Sequence, residues 1–270
     1  VELLTREGEI DIAKRIEDGI NQVQNAVAEY PGTIPYILEQ FDKVQAEELR
    51  LTDLITGFVD PDADETTAPT ATHIGSELAE SDLEDEDDED DEKDSDEEEE
   101  EEETGIDPEL ALEKFTSLRN TFQNYQLACN EYGNESPKAQ IAHELVIDVF
   151  KEFRLTPKQF DYLVDELRTS MERVRTQERL IMKASVEYGK MPKKSFITLF
   201  TGNESSEAWL DEILSSDKPY AEKIQRSEDD IRRSIMKLKM IEEETSLTVQ
   251  NIKDISRRMS IGEAKARRAK

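Results

Sequence analysis

The sequence predicts an all-α chain, and three observations carry that expectation. Apolar residues recur at spacings of three and four over most of the length, the period that lines one face of a helix. Helix starts are spelled repeatedly, by a capping residue followed by proline or by a glutamate or glutamine three residues on. No segment offers the period-two alternation and β-branched runs of a strand.

The first helix begins around Leu3-Leu4-Thr5-Arg6-Glu7-Gly8-Glu9, where Thr5 can accept from free backbone amides and Glu7 and Glu9 favour the positive end of the dipole. Ile12, Ile16, Ile20, Val23 and Val27 follow on one stripe until Tyr30-Pro31-Gly32 breaks it. A second helix beginning near Pro35 lines up Ile37, Phe41, Val44, Leu51 and Ile55, with Glu48 interrupting the stripe. From Gly57 to Gly105 apolar periodicity stops. Asp, Glu, Thr, Ala and Pro there cannot bury enough apolar area to offset the entropy of ordering, so residues 57–106 are expected to form a disordered acidic loop.

Asp107-Pro108 restarts helix, and Ala111, Phe115, Leu118, Phe122, Tyr125 and Cys129 keep a seam until Gly133. Ser136-Pro137 repeats the start signal, and Thr156-Pro157-Lys158-Gln159 reads as a capping box. The helix after it is expected to reach about Tyr188, burying Phe160, Leu163, Leu167, Val174 and Ile181, with a length of roughly 45 Å at 1.5 Å per residue. Short helical pieces follow around Pro192 to Phe200 and Ser206 to Leu214. A longer helix then carries Ile224, Ile231, Ile235, Leu238 and Ile241 on one side. Thr248 caps the last part, with Leu247 and Ile252 as a hydrophobic staple. Ser260-Ile261-Gly262-Glu263 reads as a further capping box, so two consecutive short helices are expected there, the second only just begun.

A net charge of -31, with 37% charged and 36% hydrophobic residues among 270, favours one core plus disordered mass over two packed domains. Residues 77–103 hold 21 acids and one lysine, which is most of that charge. The single cysteine excludes an intramolecular disulfide framework, and no apolar stretch approaches the roughly 20 residues that cross a bilayer. A cytoplasmic location without a membrane partner is the expectation. The opening residues lack the basic, apolar and small-residue order expected of a signal peptide, and Val1 in place of Met suggests a fragment whose start lies upstream.

Catalysis needs groups converging in a shielded pocket, and the usual donors are scarce: two histidines and one cysteine. His73 reads as solvated, His143 as surface or boundary packing beside its helix stripe, and Cys129 as a core thiol. Asp60, Asp62 and Asp64 imitate a calcium loop, but Glu65 stands where the turn needs glycine and Ala71 where a bidentate glutamate is needed. Gly189-Lys190 and Thr201-Gly202-Asn203 lack phosphate-loop spacing. No enzyme, cofactor or metal is expected.

The sign of the charge reverses locally. Lys253, Arg257, Arg258, Lys265, Arg267, Arg268 and Lys270 fall within the last eighteen residues against two acids, and Arg173, Arg175, Arg179, Lys183, Lys190, Lys193 and Lys194 form a second basic stretch. Such clusters supply phosphate contacts, or else form solvated helical faces paired with acids elsewhere. The acidic run is either a solubilising spacer or a polyanion competing with DNA for basic surfaces.

Several strings resemble primary sigma factors of the sigma-70 family. Leu4-Thr5-Arg6-Glu7-Gly8-Glu9-Ile10-Asp11-Ile12-Ala13-Lys14-Arg15-Ile16-Glu17-Asp18-Gly19 is similar to the second half of region 1.2, and residues 249–270 resemble the approach to region 2.1. Residues 153–163, 174–183 and 191–204 look like the helical non-conserved insert of proteobacterial members. The resemblance implies a region 1.2 helix at 1–30, the insert at 31–245 and the start of sigma region 2 at 246–270, with the first helix and the last two packing together in a domain-2 core. It implies binding to the RNA polymerase core, mainly the β′ subunit, and recognition of promoter DNA for transcription initiation. Glu9 and Arg50 are DNA-proximal candidates by alignment with the family, Arg50 being equally readable as an ordinary surface charge. Lys265, Arg267, Arg268 and Lys270 join them from the basic end. The resemblance also implies family motifs before Val1 and after Lys270, without which the fragment should not initiate transcription alone. The alternative is a non-enzymatic helical scaffold or acidic chaperone for basic partners.

Overall fold

A computed structural model describes residues 6–59, 106–133 and 136–269, with the backbone alone for Arg6, Glu7 and Glu9. The expected loop lies almost wholly outside the described residues, as do Thr5, His73 and the Asp60 to Ala71 stretch. The described residues fold as two compact units, which corrects the expectation of a single core. Unit 1 comprises residues 1–29, 33–161 and 259–270; unit 2 comprises residues 30–32 and 162–258. The physical reason is that the helices of 162–258 carry enough inward apolar residues to close a core of their own.

In unit 1, α1 (Arg6–Glu29) is followed by α2 (Thr33–Gln45), a short α3 (Leu51–Leu54) and a strand β1 (Ile55–Phe58). The stripe of α1 sinks progressively: Ile12 and Ile16 are half-buried, while Ile20, Val23 and Val27 are buried. The second predicted helix ends ten residues earlier than its apolar pattern suggested. Ala46 to Arg50 form a turn in which Glu47 takes a positive φ of 60°, and Ile55 pairs in a strand instead. Past the undescribed stretch come α4 (Pro108–Tyr132), α5 (Pro137–Lys151) and β2 (Phe153–Leu155), together with the start of α6 (Pro157–Met182). Two caps form as read: Asp107 accepts from the Glu109 amide at 2.9 Å, and Ser136 accepts from the Ala139 amide at 3.2 Å.

The described residues are all-α as expected except for these two short strands, which correct the expectation that no segment forms a strand. They pair antiparallel, Ile55 with Leu155, Gly57 with Arg154 and Phe58 with Phe153, with a bulge between Ile55 and Gly57. Four and three residues are too short to display a period of two, so no alternation announced them. They frame an aromatic core. Phe41 stacks on Phe115 at 3.9 Å, Phe115 meets Phe153 at 4.7 Å, and Phe58 meets Phe153 edge-on at 5.3 Å. The α4 seam is buried only at Ala111, Phe115 and Leu118. Phe122, Tyr125 and Cys129 are half-buried, so Cys129 is a boundary residue and not a core one.

The capping box at Thr156 does not form. Its amide donates to the Leu54 carbonyl at 3.1 Å, and the Gln159 amide donates to the Thr156 carbonyl. The Thr156 hydroxyl and Gln159 side-chain amide donate instead to the carbonyl of Asp53, at 3.0 and 3.4 Å. The start signal located the helix correctly, but its side chains were taken by the short helix α3, which precedes β1.

Unit 2 contains the rest of α6, a π-helical continuation at Lys183–Tyr188, α7 (Lys193–Phe200), α8 (Ala208–Leu214), α9 (Ala221–Gln225), α10 (Glu228–Thr245) and the first half of α11 (Val249–Ala269). Helix thus reaches Tyr188 as expected. Ile224 belongs to the separate α9, not to the long helix that buries Ile231, Ile235, Leu238 and Ile241. Phe196, Phe200 and the sole tryptophan, Trp209, pack edge and face at 4.8 to 6.0 Å within a core that also includes Val174, Ile181, Leu210 and Ile252. Arg232 ties α10 to α8 and its approach, bonding Asp211 at 2.6 Å, Glu228 at 2.9 Å and Glu207. No helix among the described residues is long and apolar enough to cross a membrane.

Candidate functional site

The basic C-terminal stretch folds as one continuous helix, not as two short ones. Thr248 caps α11, accepting from the Asn251 amide at 3.2 Å, but Ser260 sits exposed inside the helix and starts nothing. The reason lies in Gly262. A Cβ there would come within 2.7 Å of the Gly19 carbonyl and 2.9 Å of Val23, and one on Gly19 would meet the Ala266 amide and the Gly262 carbonyl at 2.7 Å. The glycine that reads as part of a capping box therefore lets α11 lie against α1, backbone to backbone. The two ends of the chain do meet in unit 1. They meet through Gly19, Gly262 and Ala266, whereas Ile12 and Ile255 fall in different units.

The seven predicted basic residues then separate by environment. Lys253 is not available to phosphate: its ammonium lies 3.1 Å from a Glu204 oxygen, also contacts Glu178, and Gln250 donates to the same Glu204 oxygen at 2.6 Å. Burial alone would lower the Lys253 pKa; the hydrogen bonds and charges of Glu178 and Glu204 outweigh it and leave it raised. Arg257 and Arg258 bond Asp254 at 2.9 and 3.0 Å, and these contacts hold that carboxyl below its ordinary range, the Arg257 hydrogen bond foremost. Lys265, Arg267 and Arg268 are exposed on the last two turns and make no ion pair among the described residues. With 3.6 residues per turn, Lys265 and Arg268 share a line with exposed Ile261, and Arg267 stands about 100° round from Arg268. Lys270 lies outside the described residues.

Arg50 occupies the turn before α3, with extended backbone and a side chain 86% exposed. Its guanidinium lies 3.6 Å from the Asp53 carboxylate, over an open depression of about 680 Å³ that Val44, Glu47, Glu48 and Thr52 help line. Three carboxylates surround this one cation, so the local field is mixed, and an anion there would have to draw Arg50 away from Asp53. Glu9 lies in the first turns of α1, and its side chain lies outside the described residues. The candidates thus occupy three separate elements: the start of α1, the turn after α2 and the end of α11. His143 stacks on Tyr125 at 4.7 Å and its pKa is lowered, chiefly by burial, as boundary packing requires. Among the described residues, no group of three or more His, Cys, Asp or Glu is placed to hold a metal.

Sequence reading missed Gly19 and Gly262. A signal existed, since a glycine inside an otherwise helical apolar pattern costs helix stability and marks a packing reason.

Fold and site together describe a helical segment whose exposed candidate chemistry at its C-terminal end is cationic. Residues 30–242 match the family described as the sigma-70 non-essential region. The whole chain also aligns over 275 positions, at 28% identity, with RNA polymerase sigma factor RpoD of Neisseria gonorrhoeae. The chain belongs to the sigma-70 family. It spans 43% of the length of that gonococcal relative.

Proposed function

We propose that the chain acts inside a sigma subunit in the initiation of DNA-templated transcription, as the stretch from region 1.2 (1–30) through a helical insert (31–245) to the start of region 2 (246–270). The subunit binds the RNA polymerase core, mainly through β′, and helps recognise promoter DNA; it supplies contacts and catalyses nothing. The observation that carries this reading is the backbone-close crossing of α1 and α11 at Gly19 and Gly262, because it joins the two stretches that resemble regions 1.2 and 2.1. Lys265, Arg267 and Arg268 are its exposed phosphate-contacting candidates, with Arg50, Glu9 and Lys270 as further DNA-proximal positions.

Crosslinking core RNA polymerase to this chain extended through the downstream helices of region 2 tests it. A β′ adduct that survives deletion of residues 77–103 is the expected result. An acidic chaperone would instead bind basic proteins at large and lose that binding with the deletion, and failure to recover β′ overturns the proposal. In a holoenzyme whose sigma subunit carries this segment, Arg267→Gln with Arg268→Gln should weaken promoter binding and lower its salt slope by about one per lost phosphate contact.

A further inference from the structure

Unit 2 carries a second cationic surface, on different elements from the end of α11. Arg175, Arg179 and Lys183 follow one another at four-residue steps along exposed α6 and its π-helical continuation, about 6 Å apart along the axis. Lys190, Lys193 and Lys194 continue the run through the turn into α7, and all six side chains are exposed. None of the six makes an ion pair among the described residues, although acids outnumber bases 65 to 34 in the chain. The contrast with their neighbours is direct: Arg168 meets Asp165 at 3.2 Å and Arg173 meets Glu244 at 2.7 Å.

We infer that this run is a phosphate-contacting surface for the backbone of double-helical DNA, one that adds affinity without reading sequence. Three features favour that occupant. Residues 162–258 hold eighteen bases and eighteen acids, so the net charge of -31 lies outside them and this unit is where a polyanion is least repelled. Arg175, Arg179 and Lys183 step along one helix about four residues at a time, and a duplex presents charge as a line, one phosphate per about 3.4 Å on each strand. Lys193 and Lys194 occupy the first turn of α7 with no acid there and Pro192 as a cap without a side-chain bond, so like charges face the positive end of that helix. An arriving phosphate converts that repulsion to attraction. Leu180 and Ile197 are also exposed nearby in sequence, but singly exposed apolar side chains are ordinary on a protein surface; exposed Tyr188 lies beneath the Lys183 ammonium, 5.7 Å from the ring centroid, a contact that leaves the charge in place. Base stacking is not part of the inference.

The inference does not rest on the function proposed above, and its test separates the two. The intact chain is titrated into a fluorescent duplex of arbitrary sequence, about 30 base pairs long, and anisotropy is followed from about 25 to 200 mM salt, a range over which phosphate contacts lose most of their affinity. Two variants are compared, Arg175→Gln/Arg179→Gln/Lys183→Gln and Lys190→Gln/Lys193→Gln/Lys194→Gln, with Trp209 emission confirming that unit 2 stays folded. Each should lose about tenfold or more in affinity at low salt and about two to three in the slope of log K against log salt. Three outcomes overturn the inference: no duplex binding by the unaltered chain at the lowest salt, unchanged binding by both variants, or tighter binding of a polyglutamate peptide than of the duplex, which would indicate an acidic protein partner. Loss of binding in an Arg267→Gln/Arg268→Gln control, with none in the two variants, would sink this surface and leave the α11 candidates standing.

Discussion

Lys253 shows how far environment decides what a cation can do. Its side chain is 28% exposed, and the Glu204 side chain beside it only 4%, so the pair works in a medium where removing one partner leaves the other badly solvated. Lys253→Met should therefore destabilise unit 2 by about 2–4 kcal/mol, seen as earlier thermal unfolding by Trp209 fluorescence, and Glu204→Gln in the same chain should recover part of it. The raised Lys253 pKa gives the pH sign: its contribution is complete below the ordinary lysine value and fades as pH rises through the folded one, so the loss is an alkaline one. His143 works in the other direction. Burial lowers its pKa, so the unfolded chain takes up a proton first as pH falls below about 6.5, and unit 1 should lose stability there until the folded pKa is passed. Comparing urea midpoints at pH 7 and pH 5 for the unaltered chain and His143→Gln checks this, the difference between the two proteins shrinking toward acid.

Helices α1 and α11 show what a glycine can contribute to packing. On an exposed helix, glycine to alanine stabilises by up to about 1 kcal/mol. At Gly19 and Gly262 the added methyl would press into backbone at 2.7 Å, which a flexible side chain could not relieve by moving. Gly19→Ala and Gly262→Ala should each destabilise by about 1–3 kcal/mol, the sign opposite to the propensity effect, and should weaken protection of α11 amides from Met259 onward in hydrogen exchange. Stability gained on either substitution would show that the two helices do not approach so closely. The Thr156 and Gln159 side chains make a comparable point about helix starts. Both hold the Asp53 carbonyl, so a short helix a hundred residues earlier in the sequence has displaced a local cap.

At the level of the chain, charge is divided as unevenly as structure. Residues 77–103 hold 21 acids and one lysine, whereas residues 162–258 are balanced. Deleting 77–103 should leave the helical signal of the remaining residues and the unfolding of unit 2 unchanged by circular dichroism and Trp209 fluorescence. It should also flatten the rise in melting temperature between low and physiological salt, because the self-repulsion that salt screens is mostly removed. A fall in unit 2 stability on deletion would count against the division into separate units.

Helix content, the cap residues at Asp107 and Ser136 and the stripe of α1 were all legible from residue order, since each depends on neighbours within one or two turns. The resemblance to sigma-70 strings was legible for the same reason. What residue order could not disclose was anything set by partners distant in the chain: the pairing of Ile55–Phe58 with Phe153–Leu155, the capture of Thr156 by Asp53, the burial of Lys253 between two glutamates, and the closeness that Gly19 and Gly262 permit. A local pattern specifies which residues turn inward. Which of the resulting faces meet, and therefore which cations remain exposed for a phosphate, is decided by long-range packing, where one methyl group or one carboxylate changes the outcome.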